Sequence, residues 1–223
     1  MLLRMYTRFV NENIAFNCSF KCRKGVIMKN EDTLSEKEVI TEGKKNVSTS
    51  DLVYIGVFAA LIAVCSWIQI PAGPVPFTLQ TLGVCLAAGL LGLKKGTACV
   101  GVYILIGLIG VPVFSNFGAG PGVLLGLTGG YIIGFIFTAL AVGAGIKFFG
   151  KKIWVYALFM VIGVALCYAF GTAWFMIYSA NHSSPVSLAG ALSACVVPFI
   201  IPDLVKITIA VLLCSRLSKV IRV

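Results

Sequence analysis

The stretch DLVYIGVFAALIAVCSWIQI, residues 51–70, carries its one charge at Asp51 and then runs uncharged to Ile70. A helix of roughly 20 such residues reaches across a bilayer core near 30 Å, and 52–70 is therefore read as a membrane span. Outward along the chain the same pattern returns at 77–93, 96–111, 123–146, 153–179 and 198–217, separated by Gly, Pro and Lys. Lipid offers no hydrogen bonds to the backbone, so each run must satisfy its own as a helix. The expected fold is an all-α polytopic membrane protein, a bundle of six transmembrane helices. A further apolar segment, 187–197, is too short to span and is expected to lie as a re-entrant or interfacial piece before the last helix.

Composition agrees with lipid as the solvent. The chain of 223 residues is 59% hydrophobic and only 12% charged, with a mean hydropathy of +0.99, against roughly 25% charged residues in soluble domains. The charges divide unevenly: residues 1–51 hold nine Lys/Arg and seven Asp/Glu, whereas 52–223 hold nine Lys/Arg and one acid, Asp203. Residues 1–48 thus read as a polar, poorly ordered extension and 49–223 as the membrane domain. Met28 reads as a second possible start, and no cleaved signal is expected because Arg4, Arg8 and Asn11 interrupt any apolar core. Lys94 and Lys95, then Lys147, Lys151 and Lys152, then Arg216, Lys219 and Arg222 fall at alternate turns. That asymmetry places those turns and both termini in the cytoplasm. The net charge of +10 does not indicate a nucleic-acid partner, because the basic residues flank apolar spans and do not gather on a solvated face.

The opposite loops, 71–76, 112–122 and 180–187, contain no Lys, Arg, Asp or Glu. They concentrate Pro71, Gly73, Pro74 and Pro76, then Pro112, Asn116, Gly118, Gly120, Pro121 and Gly122, which prevents regular helix. Either tight turns or a cap over an outward pocket follows, and the length of the second loop favours the cap. Gly126, Gly130 and Gly134 would line one face of a helix from about 123. Ala59 and Ala63, with Gly56 and Ala60 nearby, form another small-residue face, suited to a helix of the same bundle or of another subunit.

Asp203 and Lys206 share one side of the last span. Each would cost about 2.5–3.5 kcal/mol at the centre of a spanning helix, so neither is expected to face lipid. Pro202 suits a first helical turn, whose positive end would favour the Asp203 carboxylate. The pair reads as a polar anchor for a ligand with both donors and acceptors, or as an ion pair that locks the bundle. Gln80 is a candidate third contact, Thr128 and Tyr131 could supply polar contacts, and Trp174 or Tyr178 could wall a ring-shaped ligand in place of an interfacial role. No catalytic set, metal site or cofactor is expected. Residues 145–152 read G-x-x-x-x-G-K-K, but Lys152 replaces the hydroxyl a phosphate loop needs and a spanning helix precedes it. His182 has no ligating neighbours in sequence, and the eight cysteines fall mostly singly within apolar segments.

PVPFTLQTL at 74–82, GVPVF at 110–114, GLTGGYIIG at 126–134, GTAW at 171–174 and PFIIPDLVK at 198–206 together resemble the BioY family over about residues 50–215. Those biotin transporters are the substrate-binding S components of energy-coupling factor (ECF) transporters. The resemblance implies a six-helix bundle of the bacterial plasma membrane that captures biotin from outside. It then docks on a transmembrane coupling subunit energised by two ATPase subunits. It also implies that Asp203 and Lys206 contact the polar part of biotin, that Asn116 adds a polar contact, and that the Ala59/Ala63 face docks the coupling subunit. Leu127 departs from the family pattern, which has Pro there. Two other classes stand beside this reading. A membrane enzyme using Asp203 lacks a second catalytic group, and a stand-alone proton- or ion-coupled carrier would titrate Asp203 during transport.

Overall fold

The structure is a computed structural model that describes residues 48–70, 75–182 and 186–219. The expected polar extension falls outside these residues apart from Ser48. Among the described residues the elements run α1 (Thr49–Trp67), β1 (Gln69–Ile70), β2 (Phe77–Thr78), α2 (Gln80–Ile109) and a 3-10 turn (Ser115–Phe117). There follow α3 (Pro121–Leu125), α4 (Gly129–Phe149), α5 (Ile153–Asn181), α6 (Leu188–Cys195) and α7 (Val197–Leu217). Five of them, α1, α2, α4, α5 and α7, are long and apolar enough to cross a membrane. The protein is accordingly a multi-pass membrane protein.

Two of the expected spans, 77–93 and 96–111, fall within the single element α2. Its two parts are separated at Gly92, whose backbone (φ 76°, ψ −170°) is not helical. The chain doubles back there. The Gln80 side-chain amide donates to the Tyr103 hydroxyl at 2.5 Å, although 23 residues of straight helix would hold them about 35 Å apart. A Cβ on Gly96 would lie 2.8 Å from the Ala88 Cα, so the lack of a side chain lets the arms close. The first arm, 80–91, is only about 18 Å long and the second, 93–109, about 25 Å.

Around this hairpin, α4 packs along α2 and α5, α1 lies on α2, and α7 closes against α2 and α5. Small residues set the close approaches. A Cβ on Gly134 would fall 2.8 Å from Cys167 Sγ, one on Gly163 would fall 3.1 Å from Thr138 Cα, and one on Gly130 would collide with the Trp174 side chain. The glycine face thus serves helix packing, with one correction. Gly126 is not on the helix, because α4 begins only at Gly129 and Gly126 ends the short α3. The run of flexible residues at 126–130 favours a turn over an earlier helix start.

The last helix also departs from expectation. It starts at Val197, with Pro198 in its first turn, and Pro202 lies inside it. Asp203 is therefore beyond the first turn, where the helix dipole fades, and its charge is met by side chains. The short apolar segment is α6, whose N-cap Ser187 accepts from the Gly190 N–H at 3.2 Å.

Ala59 and Ala63 are buried against the bundle, at 3% and 6% exposure. Of the two partners the sequence left open for this face, the structure uses the chain's own helices. Gly56 and Ala60, on the same helix, are exposed.

Candidate functional site

The apolar frame brings one buried ion pair to the wall of a cavity between α2, α4, α5 and α7. Lys206 Nζ lies 2.7 Å from Asp203 Oδ1, and both residues are 5% exposed. The pair is held from outside the helix. Lys206 Nζ donates to the Thr78 carbonyl at 2.6 Å and sits 3.9 Å from the centroid of the Phe77 ring. The Tyr168 hydroxyl donates to Asp203 Oδ2. Phe77 in turn stacks on Phe199, one turn before Asp203, with centroids 6.0 Å apart. The antiparallel pairing of β1 with β2, Gln69 against Thr78 and Ile70 against Phe77, presents both the ring and the carbonyl to the ammonium.

The cavity encloses about 620 Å³ of free space, counting its open mouth. Gln80, Thr128, Tyr131, Asp203 and Lys206 all line it. Gln80 is fixed, with its Oε1 accepting from the Thr78 hydroxyl at 3.1 Å while its amide holds Tyr103. Tyr131 meets the Thr172 hydroxyl at 3.3 Å. Most of the remaining wall is apolar, from Val75, Ile132, Phe135, Val164 and Phe199, a combination usual for sites that grip an apolar body by a few polar groups.

Three expected contacts stand elsewhere. Asn116 sits in the left-handed region (φ 56°, ψ 30°), exposed, and its Oδ1 accepts from the Gln69 amide, so it fastens the two outer loops while its neighbour Ser115 reaches the cavity. Trp174 donates its indole N–H to the Gly126 carbonyl at 3.0 Å and covers Gly130. Tyr178 stacks on His182 with centroids 4.1 Å apart. None of the three lines the cavity. Conversely, Tyr168, Phe77 and the Thr78 carbonyl were not anticipated. Tyr168 gave no signal as an isolated aromatic within an apolar span, and a carbonyl has no sequence signature.

The second outer loop is pinned over this end of the bundle. Ser66 Oγ lies 2.5 Å from the Val113 carbonyl, Tyr103 donates to the same oxygen at 3.1 Å, and the Trp67 indole donates to the Pro112 carbonyl at 2.9 Å. These bonds satisfy backbone that no helix can satisfy there.

Comparison with known proteins adds an independent line. The chain is 43% identical over 168 residues to the biotin transporter BioY of Thermotoga maritima, covering 75% of this chain and 95% of that one. It is 35% identical to the probable biotin transporter BioY of Pyrococcus horikoshii, covering 77% and 98%. A solved structure of the S-component for biotin from an ECF-type ABC transporter superposes with a TM-score of 0.70 at 31% identity, covering 76% of this chain and 91% of that one. The family model described as the BioY family matches residues 39–223. With the relatives named as transporters and the fold shared, this chain belongs to the BioY family.

Proposed function

We propose that this chain is the biotin-binding S component of an ECF-type ABC importer, the recognition subunit of an assembly whose ATP hydrolysis is carried by other chains. The observation that carries the reading is the buried Asp203–Lys206 pair at the wall of a largely apolar cavity, in a fold shared with the S-component for biotin. Two ionised groups at membrane depth are retained where they serve a ligand or a transport path. The stand-alone carrier gains no specific support, since both carboxylate oxygens of Asp203 are already engaged.

Six crossings follow if the two arms of α2 each traverse the bilayer. The short first arm is supplemented by the extended residues 75–79, and the cavity occupies the space above it, with Thr78, Gln80 and Thr81 in its wall. The basic turns support a cytoplasmic assignment for the end of the bundle opposite the cavity. Residues 1–48 would be an extension before the membrane domain at 49–223. Docking on a coupling subunit is assigned to the α1 face that carries Ala59 and Ala63, with Gly56 and Ala60 exposed beside them.

The test is equilibrium binding of biotin to the detergent-purified chain alone, with thiamine and riboflavin as controls. Tight binding of biotin and none of the other two is expected. Absence of biotin binding would leave the fold and overturn the function.

A further inference from the structure

We infer that a separate apolar groove between α5 and α6 seats one linear hydrocarbon chain of the surrounding bilayer, and that this chain steadies a wall shared with the cavity. The groove holds about 770 Å³ of free space, counting its open side. Ala165, Ala169 and Ala173, one turn apart on α5, form its floor, and Leu188, Leu192 and Val196 stand along one edge. Ala165 and Met176, at its two ends, lie about 16 Å apart along α5. That is close to half of a bilayer core of about 30 Å, the depth that the chains of one leaflet fill. The three alanines are exposed, so the groove opens sideways toward lipid. It continues a helix face that carries the exposed Val161, Leu166 and Ile177.

The lining decides the occupant. Its side chains carry two hydroxyls, and both are engaged away from the groove: Tyr168 donates to Asp203 Oδ2, and Thr172 meets the Tyr131 hydroxyl at 3.3 Å. An ordered water needs several polar partners, and the described lining offers no free one. A polar ligand finds nothing to hold there either. A partner helix could use the alanine face, but its axis would have to lie about 8–10 Å from that of α5, and on this side α6 already packs against α5. A single hydrocarbon chain fits the remaining width, and leaving the groove unfilled would forfeit dispersion contacts along its floor. Only one layer of side chains separates this chain from the cavity. Tyr168 lines both spaces, and Thr172 reaches the cavity through Tyr131. A chain packed on the outer side of Tyr168 therefore holds in place the ring whose hydroxyl meets Asp203. This coupling rests on the biotin-binding reading; the seat itself does not.

The full chain is reconstituted in phosphatidylcholine vesicles that contain a phosphatidylcholine with a photoreactive diazirine on one acyl chain, and labelled residues are mapped by mass spectrometry. Labelling of the wild type, which needs no variant to fold, is expected to concentrate on 165–176 and 188–196 over the exposed Leu105 of α2 and Phe137 of α4. Ala169→Phe, which sets a ring over the open floor, should remove the excess. Groove labelling no stronger than at Leu105 and Phe137 overturns the seat, whether lipid there is unselective or a second copy, seen as a dimer, covers the face. For the coupling, biotin affinity is compared in vesicles of dioleoyl- and diphytanoyl-phosphatidylcholine, which share a headgroup but differ in that the second has methyl-branched chains too wide for the groove. The wild type is expected to bind biotin at least about fivefold more weakly in the branched lipid, the low end of ordinary coupling between sites, and Ala169→Phe to bind equally in both. A smaller difference, or one that the variant shares, overturns the coupling. If biotin binds in neither lipid the functional reading fails, and the labelling still decides the seat.

Discussion

Replacing Asp203 by Asn removes the counter-charge that Lys206 meets at 2.7 Å and leaves an ammonium at 5% exposure beside a carbonyl and a ring. Breaking one side of a buried pair costs about 3–5 kcal/mol, whereas replacing both sides with neutral groups of similar size is often neutral or better. Asp203→Asn and Lys206→Met singly are therefore expected to lower the thermal unfolding midpoint in detergent. The double variant should recover most of the loss and still fail to bind biotin. Recovery of stability without recovery of binding separates a ligand anchor from a structural lock; a double variant that binds biotin normally would reduce the pair to the latter. The two charges were legible in the sequence because an ionised group inside an apolar run has so few explanations. The residues that complete their shell were not, since Tyr168 lies 35 positions away on another helix. Asn116, which the resemblance implies as a polar contact, takes a left-handed backbone, and its Oδ1 accepts from the Gln69 amide, a pairing across 47 positions with no signature in sequence.

At the scale of elements, apolar runs located every membrane-length helix, because in lipid a long uncharged segment has few alternatives to helix. Their ends were less legible. The helix boundary beside Lys94 and Lys95 was placed by charge, yet the chain turns two residues earlier, where only glycine tolerates the backbone. At φ 76° and ψ −170°, Gly92 occupies a region essentially closed to other residues. A Cβ there meets no neighbouring atom, so the effect of Gly92→Ala is conformational strain alone. A loss of about 1–3 kcal/mol is expected, read as a lower unfolding midpoint with biotin affinity little changed in the fraction that folds. An unchanged midpoint would show that the hairpin does not depend on this geometry. The start of α7 was misplaced for a related reason: two prolines four residues apart in a row of apolar residues each fit a first turn, and the helix uses Pro198.

For the whole molecule, contacts place the basic turns at one end and the cavity at the other. Asp51 in the first turn of α1 pairs with Lys95 at 2.7 Å, which sets the beginning of α1 beside the Gly92 turn. Gly143, near the end of α4, abuts Leu93, and Gly89 abuts Cys214 near the end of α7. Lys94, Lys95, Lys147 and Arg216 therefore cluster together, while the loop at 110–120 lies over the opposite end, tied to Ser66 and Trp67. An excess of Lys and Arg marks the cytoplasmic side, so the cavity should open outward. With Cys18 and Cys22 replaced by Ser, the six remaining cysteines are buried and give little background to a membrane-impermeant thiol reagent. On that background Val111→Cys, at an exposed position before the pinned loop, should label in intact cells. Lys151→Cys, exposed at the other end, should label only after the membrane is opened. The reverse pattern would put the cavity mouth in the cytoplasm, where a recognition subunit for import could not capture its ligand, and would overturn the importer reading even if biotin bound tightly.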